Sequence, residues 1–343
     1  MLFSLFFIFF TWVNVDSYSA FFNSWHCVGI NEHIDFKKPY ATNIGELPLV
    51  FWKNSKNEII STMNICKHMG SKMDQGTVTL NGCLKCPYHG IEMNDDDKFG
   101  ETMEHEGKLF WSYKPTEKSP YCSPFYKNPS FTNSFLEIDM PCSLQDSAYN
   151  TLDMHHPQYV HGGVLGFGNA IPPKNIKHWM YKNIPEMVGL SFDYKTTNVA
   201  LASANSNYTT NFHVFRYPSF TWSKVSFIKE NVPKHLIISV NFQPLSNKLT
   251  RWFVTISNNY GNSAYKKLIV KAMALTILTQ DQIQMKKQAS ENALKDAVAF
   301  QTTLGEENGI FELKKIFDAK YNYPSIEDCV ELHKHHKNNK NKT

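Results

Sequence analysis

The amino-acid sequence predicts an α+β protein in which an all-β domain precedes a larger domain of mixed strands and helices. Short runs of β-type residues between turn residues, from about 25 to 116, predict the first domain. A connector rich in Pro, Ser and Asn follows it. Beyond residue 135, a helical run near 143–161 and strand-like alternation lead to a long helical pattern over about 264–303. Its apolar positions include Leu268, Ala272, Leu275 and Leu278.

Length and composition are those of an ordinary globular protein with two cores. The chain has 343 residues, of which 42% are hydrophobic and 14% aromatic. The formal net charge is only +4, and the C-terminal run HKHHKNNKNKT contributes much of the basic excess. Nucleic-acid binding is therefore not indicated, and residues 326–343 are expected to form a basic, disordered tail.

The cysteines and the N-terminus bear on the cellular compartment. Seven cysteines lie scattered without the spacing of a disulfide framework, which favours a reducing intracellular compartment such as the cytoplasm or a plastid. Residues 1–22 begin with an apolar run that has the length of a signal-peptide core and is too short to span a bilayer. No Lys or Arg precedes that run. A targeting or membrane-associating segment and a simple apolar segment both remain open.

Two pairs of cysteine and histidine carry the first metal motif. Cys66 and His68 stand in one loop, and Cys86 and His89 in the next. A Rieske [2Fe–2S] cluster needs two thiolates on one iron and two imidazoles on the other, and each loop offers one of each. A structural zinc site is the alternative, because Cys83 and Cys86 form a Cys-x-x-Cys. The Cys-x-His pair favours the cluster.

The neighbours of this quartet indicate a cluster of low reduction potential. High-potential Rieske proteins carry an additional cysteine in each loop and a serine that hydrogen-bonds a cluster sulfur. The corresponding places here hold Ser71, Tyr88 and Ile91. Fewer hydrogen bonds to the sulfurs lower the potential. The pattern therefore favours an electron donor to oxygen chemistry.

A second metal motif lies in the segment YNTLDMHHPQYVHGG, residues 149–163. Asp153, His156 and His161 follow one another at short spacing, and Pro157 favours a distorted helix end that lets both imidazoles meet one metal. A non-haem Fe(II) site needs two histidines and one carboxylate. A helix with ordinary surface or core histidines is the alternative, but three histidines and an aspartate within nine residues favour iron.

The third iron ligand is predicted to be a carboxylate farther along the chain. At helical spacing Asp281 shares a face with Ile277, Leu278 and Met285, so its charge would be buried without a partner unless a metal binds it. Asp296 is the alternative and lies on a more tolerant face.

In the order and spacing of both motifs, the chain resembles the α-subunit, or oxygenase component, of the Rieske non-haem iron oxygenases. The resemblance covers residues from about 23 to 320 and is strongest for the smaller monooxygenase and demethylase branch. It implies a Rieske [2Fe–2S] domain at 23–120 and a catalytic domain of the helix-grip, START-like type at 121–325. It also implies that His156 and His161 bind iron, whereas the adjacent His155 does not.

The resemblance further implies an oxidoreductase that hydroxylates or demethylates a hydrophobic ring-containing substrate with O2, by monooxygenation or dioxygenation. Electrons would enter at the cluster and pass through His89 and Asp153 to His156 of a neighbouring subunit in a homotrimer. No GxGxxG motif for a flavin or nicotinamide cofactor occurs, so a separate reductase or ferredoxin would supply them. A Rieske electron-transfer protein with a non-catalytic docking domain is the alternative, as is a binding protein with a vestigial site.

Overall fold

The computed structural model describes residues 20–161, 171–195, 208–229, 232–260, 263–288, 308–321 and 323–340. It has an all-β N-terminal domain and a larger domain built on one antiparallel sheet. The N-terminal strands are β1 (His26–Ile30), β2 (Tyr40–Ile44), β3 (Leu47–Lys53), β4 (Ile59–Met63), β5 (Thr77–Val78), β6 (Leu84–Lys85), β7 (Glu92–Met93), β8 (Glu101–His105) and β9 (Lys108–Ser112).

Three small sheets make up the N-terminal domain. Their strand orders are β1-β9-β8, β2-β3-β4 and β5-β6-β7. The last of these is a sheet of two-residue strands, and Cys86 directly follows β6. Small antiparallel strands with tight turns place loops rigidly at one end of the domain, as a buried metal cluster requires.

A seven-stranded antiparallel sheet forms the second domain, in the order β10-β16-β15-β14-β13-β12-β11. Its strands are β10 (Thr132–Met140), β11 (Lys174–Tyr181), β12 (Ile184–Lys195), β13 (Tyr208–Arg216), β14 (Phe220–Lys229), β15 (Val232–Ser246) and β16 (Leu249–Asn258). The helices are α1 (Leu144–Leu152), α2 (His156–Val160), α3 (Ala264–Gln288), α4 (Asn308–Lys320) and α5 (Ile326–Lys340).

The two faces of the large sheet have different partners because side chains alternate along each strand. On β15, Val240 and Phe242 pack into the main core with residues of α1, α3 and α4. Asn241 and Gln243 point the other way, where Lys108 and Thr42 of the N-terminal domain contact them. The predicted α+β class with a helix-grip catalytic domain is confirmed.

One helical prediction needs adjustment. The run near 143–161 is two helices, α1 and α2, separated at residues 153–155. The long helical pattern forms α3 over Ala264–Gln288, and its remaining part, to about residue 303, lies outside the described residues. In the part of the chain that the structure describes, no helix is long and apolar enough to cross a membrane.

The expectation of a disordered tail from residue 326 is wrong for Ile326–Lys340, which form α5. The Ser325 hydroxyl accepts the Asp328 N–H, and the Asp328 carboxylate accepts the Ser325 N–H, which is a helix-start signal. Cys329 and Leu332 lie on one face of α5 and are buried in the main core. The basic residues of this segment explain why the opposite face of α5 is solvated, but they do not prevent the helix from packing through these two residues.

The N-terminal segment also meets the folded body. Phe21 and Phe22, which the sequence assigns to the apolar segment 1–22, are buried in the main core. Residues 1–19 lie outside the described residues. All seven cysteines are free thiols, which agrees with the absence of a disulfide framework in the sequence.

Candidate metal centres

The two loops of the first motif have the same backbone geometry. The Cys66 N–H donates to the Ser71 carbonyl, and the Cys86 N–H donates to the Ile91 carbonyl, at 2.7 and 2.8 Å. In each loop the glycine four residues after the cysteine donates back to the cysteine carbonyl. Gly70 and Gly90 adopt φ of +76° and +71°, a region that favours glycine. The repeated turn presents the two ligand pairs to each other.

The four side chains converge in the manner that a [2Fe–2S] cluster requires. His68 and His89 are exposed, and their Nδ1 atoms lie 3.2 Å apart. Cys66 and Cys86 are buried beneath them, at 4% and 3% exposure, within hydrogen-bonding reach of each other. The two imidazoles thus share one side of the pocket and the two thiols the other, which suits iron with nitrogen ligands and iron with sulfur ligands.

The surroundings of Cys86 favour its thiolate. Burial raises the pKa of the thiol, but the N–H groups of Tyr88 and His89, with Cys66 and the Ser71 hydroxyl, lower it further than burial raises it. The net direction is downward. The Ser71 hydroxyl thus bonds a ligand sulfur. The sequence predicts a low potential from a scarcity of such bonds, and this bond acts against that prediction.

The second motif forms a compact triad with a residue more than a hundred positions away. One ligand atom each from His156, His161 and Asp281 lie within 4.8 Å of one another. Asp281 Oδ1 is 3.6 Å from His156 Nε2 and 3.4 Å from His161 Nε2. His156 begins α2 and His161 follows its last residue, while Asp281 comes from α3. Two histidines and one carboxylate on a shared face are the ligand set of a non-haem iron site.

Hydrogen bonds orient both imidazoles. His156 Nδ1 lies 3.0 Å from the Asp153 carbonyl oxygen, and His161 Nδ1 lies 3.2 Å from Gln280 Oε1. Both acceptors are oxygens without a proton, so each Nδ1 donates and each Nε2 keeps its lone pair for the metal. Gln280 directly precedes Asp281 in the sequence, and that adjacency is the signal that could have revealed it.

Asp281 is a buried carboxylate held by nitrogen groups. It is 4% exposed, and Asn150 Nδ2 donates to its Oδ1 at 3.4 Å. Burial raises the pKa of its carboxyl group, while His161 and His156 act in the opposite direction. Burial has the opposite sign for His161, because it lowers the pKa of the imidazole, whereas the nearby Asp281 raises it. A dication would stabilise the carboxylate and the neutral imidazoles together.

Asp153 and His155 have separate surroundings. The Asp153 carboxylate accepts the N–H groups of His155 and His156 at 2.8 and 3.3 Å, and lies 3.7 Å from His156 Nδ1. His155 is not one of the three residues of the triad. Asp296 and the glycines at 162–168 lie outside the described residues.

His213 is a further polar group near the triad that sequence reasoning did not find. Its Nδ1 lies 3.1 Å from the Thr151 carbonyl oxygen and 3.0 Å from the Ser223 hydroxyl, so Nδ1 carries the proton. Burial lowers the pKa of His213 to about 4, and the ring is neutral. It packs against Phe192, which joins a buried cluster with Met154, Leu190 and Tyr194.

Comparison with known proteins identifies the first domain. Residues 24–109 match the family model of the Rieske [2Fe–2S] domain. The oxygenase component of a 3-ketosteroid-9-alpha-monooxygenase from Rhodococcus rhodochrous is 35% identical over 169 residues, which are 42% of each chain. The chain therefore contains a Rieske domain and is similar to the oxygenase components of Rieske oxygenases. The zinc alternative for the first motif is therefore set aside, and the domain is of the [2Fe–2S] type.

Two further comparisons show more distant likenesses. The oxygenase component of dicamba O-demethylase from Stenotrophomonas maltophilia is 22% identical over 161 residues, 40% of this chain and 47% of that one. A crystal structure of dicamba monooxygenase bound to dicamba shares the fold, with a TM-score of 0.73 at 15% identity over 87% of this chain and 98% of that chain. The sequence matches span less than half the length of these two curated relatives.

Proposed function

We propose that this protein is the oxygenase component of a Rieske oxygenase, which uses O2 and electrons from a separate reductase or ferredoxin to hydroxylate or demethylate a hydrophobic ring-containing substrate. The observation that carries the proposal is the His156, His161 and Asp281 triad in the same chain as the Rieske ligand loops. A Rieske electron carrier has no need of a second, buried site with two histidines and a carboxylate.

The residues assigned to each group follow from the ligand geometry. Cys66, His68, Cys86 and His89 would hold the [2Fe–2S] cluster, and the triad would hold the mononuclear Fe(II). When bound, the cluster supplies electrons one at a time and the mononuclear iron supplies the site of O2 activation. Gln280 and the Asp153 carbonyl keep the two imidazoles in the tautomer that presents Nε2 to the metal.

The buried groups beside the triad are mostly apolar. Met154 lies two residues before His156 and packs with Leu190, Phe192 and Tyr194 of β12. The ring of His213 is the polar exception, and in its neutral form it adds no charge to this cluster. Apolar, uncharged surroundings of the metal favour a ring compound over a charged metabolite as the substrate. The names of the relatives, which include a ketosteroid monooxygenase and a dicamba demethylase, agree with a ring compound.

The cluster loops end in an apolar rim that supports docking of another protein surface. Met69, which directly follows His68, and Tyr88, which directly precedes His89, are 66% and 64% exposed, and the side chains of both histidines are also exposed. Exposed apolar groups clustered around a redox site are typical of an interaction surface. The proposed occupants are the neighbouring subunit of a homotrimer and the electron donor. In that trimer, the Asp153 carboxylate would accept a hydrogen bond from His89 of the partner subunit, while the Asp153 carbonyl oxygen accepts the bond from His156 Nδ1 in its own subunit.

Turnover with a surrogate ferredoxin and reductase tests the function, using sterol, tetrapyrrole and small aromatic panels. The expected result is an oxygenated or demethylated product whose formation consumes O2. Failure of every panel in protein that contains both iron centres would contradict the proposal.

Asp153→Asn tests the bridging role separately. This variant is expected to retain both metal centres and the oligomeric state, while product formation falls strongly. Asp193→Asn is a matched control, because the Asp193 carboxylate accepts hydrogen bonds from the exposed Asn175 and Thr210 on β11 and β13. An Asp153→Asn variant with wild-type turnover would contradict the bridge.

A further inference from the structure

A further group of metal-ligating side chains lies at the β8–β9 hairpin, apart from the cluster ligands and the His156, His161 and Asp281 triad. The hairpin turn is formed by Glu106 and Gly107, both with left-handed φ, of +48° and +76°. A glutamate at a hairpin tip normally extends into water. The Glu106 side chain is instead only 10% exposed, so its carboxylate is turned inward against the protein.

Two other ligand types meet this carboxylate. His105 Nε2 lies 3.8 Å from Glu106 Oε1, and the Cys122 thiol is hydrogen-bonded to the Glu106 side chain. One ligand atom from each of the three residues lies within 4.8 Å of the others. His105 and Glu106 come from the hairpin of the N-terminal domain, whereas Cys122 comes from the connector that leads to β10.

The electrostatic surroundings suit a bound dication. Burial, with Lys127 and Lys108, lowers the pKa of His105, so its imidazole is neutral and able to ligate. Burial raises the pKa of Glu106 and of Cys122, while Lys108 acts in the opposite direction on both. The Lys108 ammonium itself is hydrogen-bonded to Asn241 Oδ1 at 2.8 Å. A bound dication would stabilise the Glu106 carboxylate and the Cys122 thiolate, which have lost contact with water. Their two negative charges would balance the charge of the ion.

We propose that His105, Glu106 and Cys122 form a zinc site that fastens the connector to the N-terminal domain. A mixed set of nitrogen, oxygen and thiolate ligands is one that Zn²⁺ accepts in tetrahedral geometry. Three protein ligands leave the fourth position to water, and the three residues line a cavity of about 610 Å³ that reaches the Ser119 and Ser123 side of the connector. Because the connector leads into the large sheet, zinc here would hold the two domains together.

Zinc binding to full-length protein, loaded with cluster and mononuclear iron, tests the site. Zinc content per chain is measured after equilibration with micromolar Zn²⁺ and removal of the free metal. The X-ray absorption fine structure at the zinc edge then identifies its ligands. One zinc per chain is expected, with a single sulfur at about 2.3 Å and the remaining ligands nitrogen or oxygen. Zinc misplaced in the mononuclear iron site would have no sulfur ligand.

Zinc should raise the Tm of the wild-type protein, because it binds the folded state. Cys122→Ser and His105→Ala are each expected to weaken zinc binding by at least tenfold and to abolish that rise in Tm. Cys83→Ser is the matched control, because Cys83 is also a half-buried thiol but belongs to neither ligand group. The visible spectrum of the cluster reports that each variant is folded. Zinc without a sulfur ligand, binding only at millimolar Zn²⁺, or equal zinc retention in Cys122→Ser and Cys83→Ser would overturn the proposal.

Discussion

Gln280 is the residue on which the orientation of His161 depends. Its Oε1 accepts a hydrogen bond from His161 Nδ1, and without it the buried ring is free to present either nitrogen to the metal. We expect Gln280→Leu to weaken mononuclear iron binding by about tenfold to a hundredfold, the range for loss of a partner that orients a metal ligand. Iron titration of protein with an intact cluster measures this.

Gln282→Leu is the matched control for that experiment. Gln282 lies two residues farther along α3, and its amide donates to the Asp139 carbonyl oxygen at 2.7 Å, away from the ligand triad. Iron affinity should stay at the wild-type value in this variant. Equal losses in both variants would mean that α3 is merely destabilised and that Gln280 has no orienting role.

Ser71 bears on the potential of the cluster. Its hydroxyl lies in hydrogen-bonding reach of the Cys86 sulfur, and a bond to a ligand sulfur stabilises the reduced, more negative cluster. Ser71→Ala should therefore lower the midpoint potential by tens of millivolts, because only a part of a bond energy of roughly 1.5–3 kcal/mol, equivalent to about 65–130 mV for one electron, differs between the two oxidation states. Protein-film voltammetry measures the shift. An unchanged potential would mean that the hydroxyl does not reach the cluster sulfur.

At the scale of elements, the ligand loops depend on a close approach between backbones. A Cβ placed on Gly76 would lie 2.2 Å from the Lys85 carbonyl oxygen, in the strand that leads directly to Cys86. Gly76→Ala should displace β6 and reduce the cluster content of the purified protein, measured from iron, sulfide and the visible spectrum.

Gly70→Ala separates this steric effect from backbone strain. A Cβ at Gly70 meets nothing within 4 Å, although its φ of +76° is unfavourable for alanine by roughly 1–2 kcal/mol. This variant should keep most of its cluster and lose only stability. If Gly70→Ala loses the cluster as completely as Gly76→Ala, the backbone approach at Gly76 is not the controlling feature.

The elements also indicate how much of each candidate site can be predicted from the sequence. The cluster loops and the His156 and His161 pair are local motifs, so spacing alone brings them to notice. Asp281 was predicted because a charge on an apolar helix face needs a partner, and the structure brings it to the two histidines. Gln280 contacts His161 from 119 positions away, and Cys122 meets His105 and Glu106 only through the fold, so no local pattern indicates either contact. The helix α5 was missed because its composition is mostly polar, while two buried positions suffice to dock it.

At the scale of the whole molecule, buried histidines couple stability to pH. His26 is fully buried, donates from Nε2 to the Phe21 carbonyl oxygen, and anchors the start of the described chain to β1. Burial lowers its pKa from 6.5 to about 4, against a raising effect of the Phe21 bond. Between these values the unfolded chain binds a proton that the folded chain does not. Stability from this residue is therefore lost as pH falls from about 6.5 to 4.

His26→Gln tests this coupling because the glutamine amide keeps a donor for the Phe21 carbonyl and does not titrate. From pH 7 to 4, the wild type should lose roughly 3 kcal/mol more of its free energy of unfolding than the variant. Urea denaturation of both proteins across this range measures the difference. Parallel pH profiles would show that His26 is protonated in the folded protein as readily as in the unfolded chain.

The two metal centres in one chain are the central claim, and the iron content of reconstituted protein tests it most directly. Wild-type protein should bind about three irons per chain, two in the cluster and one at the triad. Asp281→Ala should bind about two, with the cluster spectrum unchanged, and Asp193→Ala should bind about three. Two irons per chain in the wild type, or three retained in Asp281→Ala, would contradict the account.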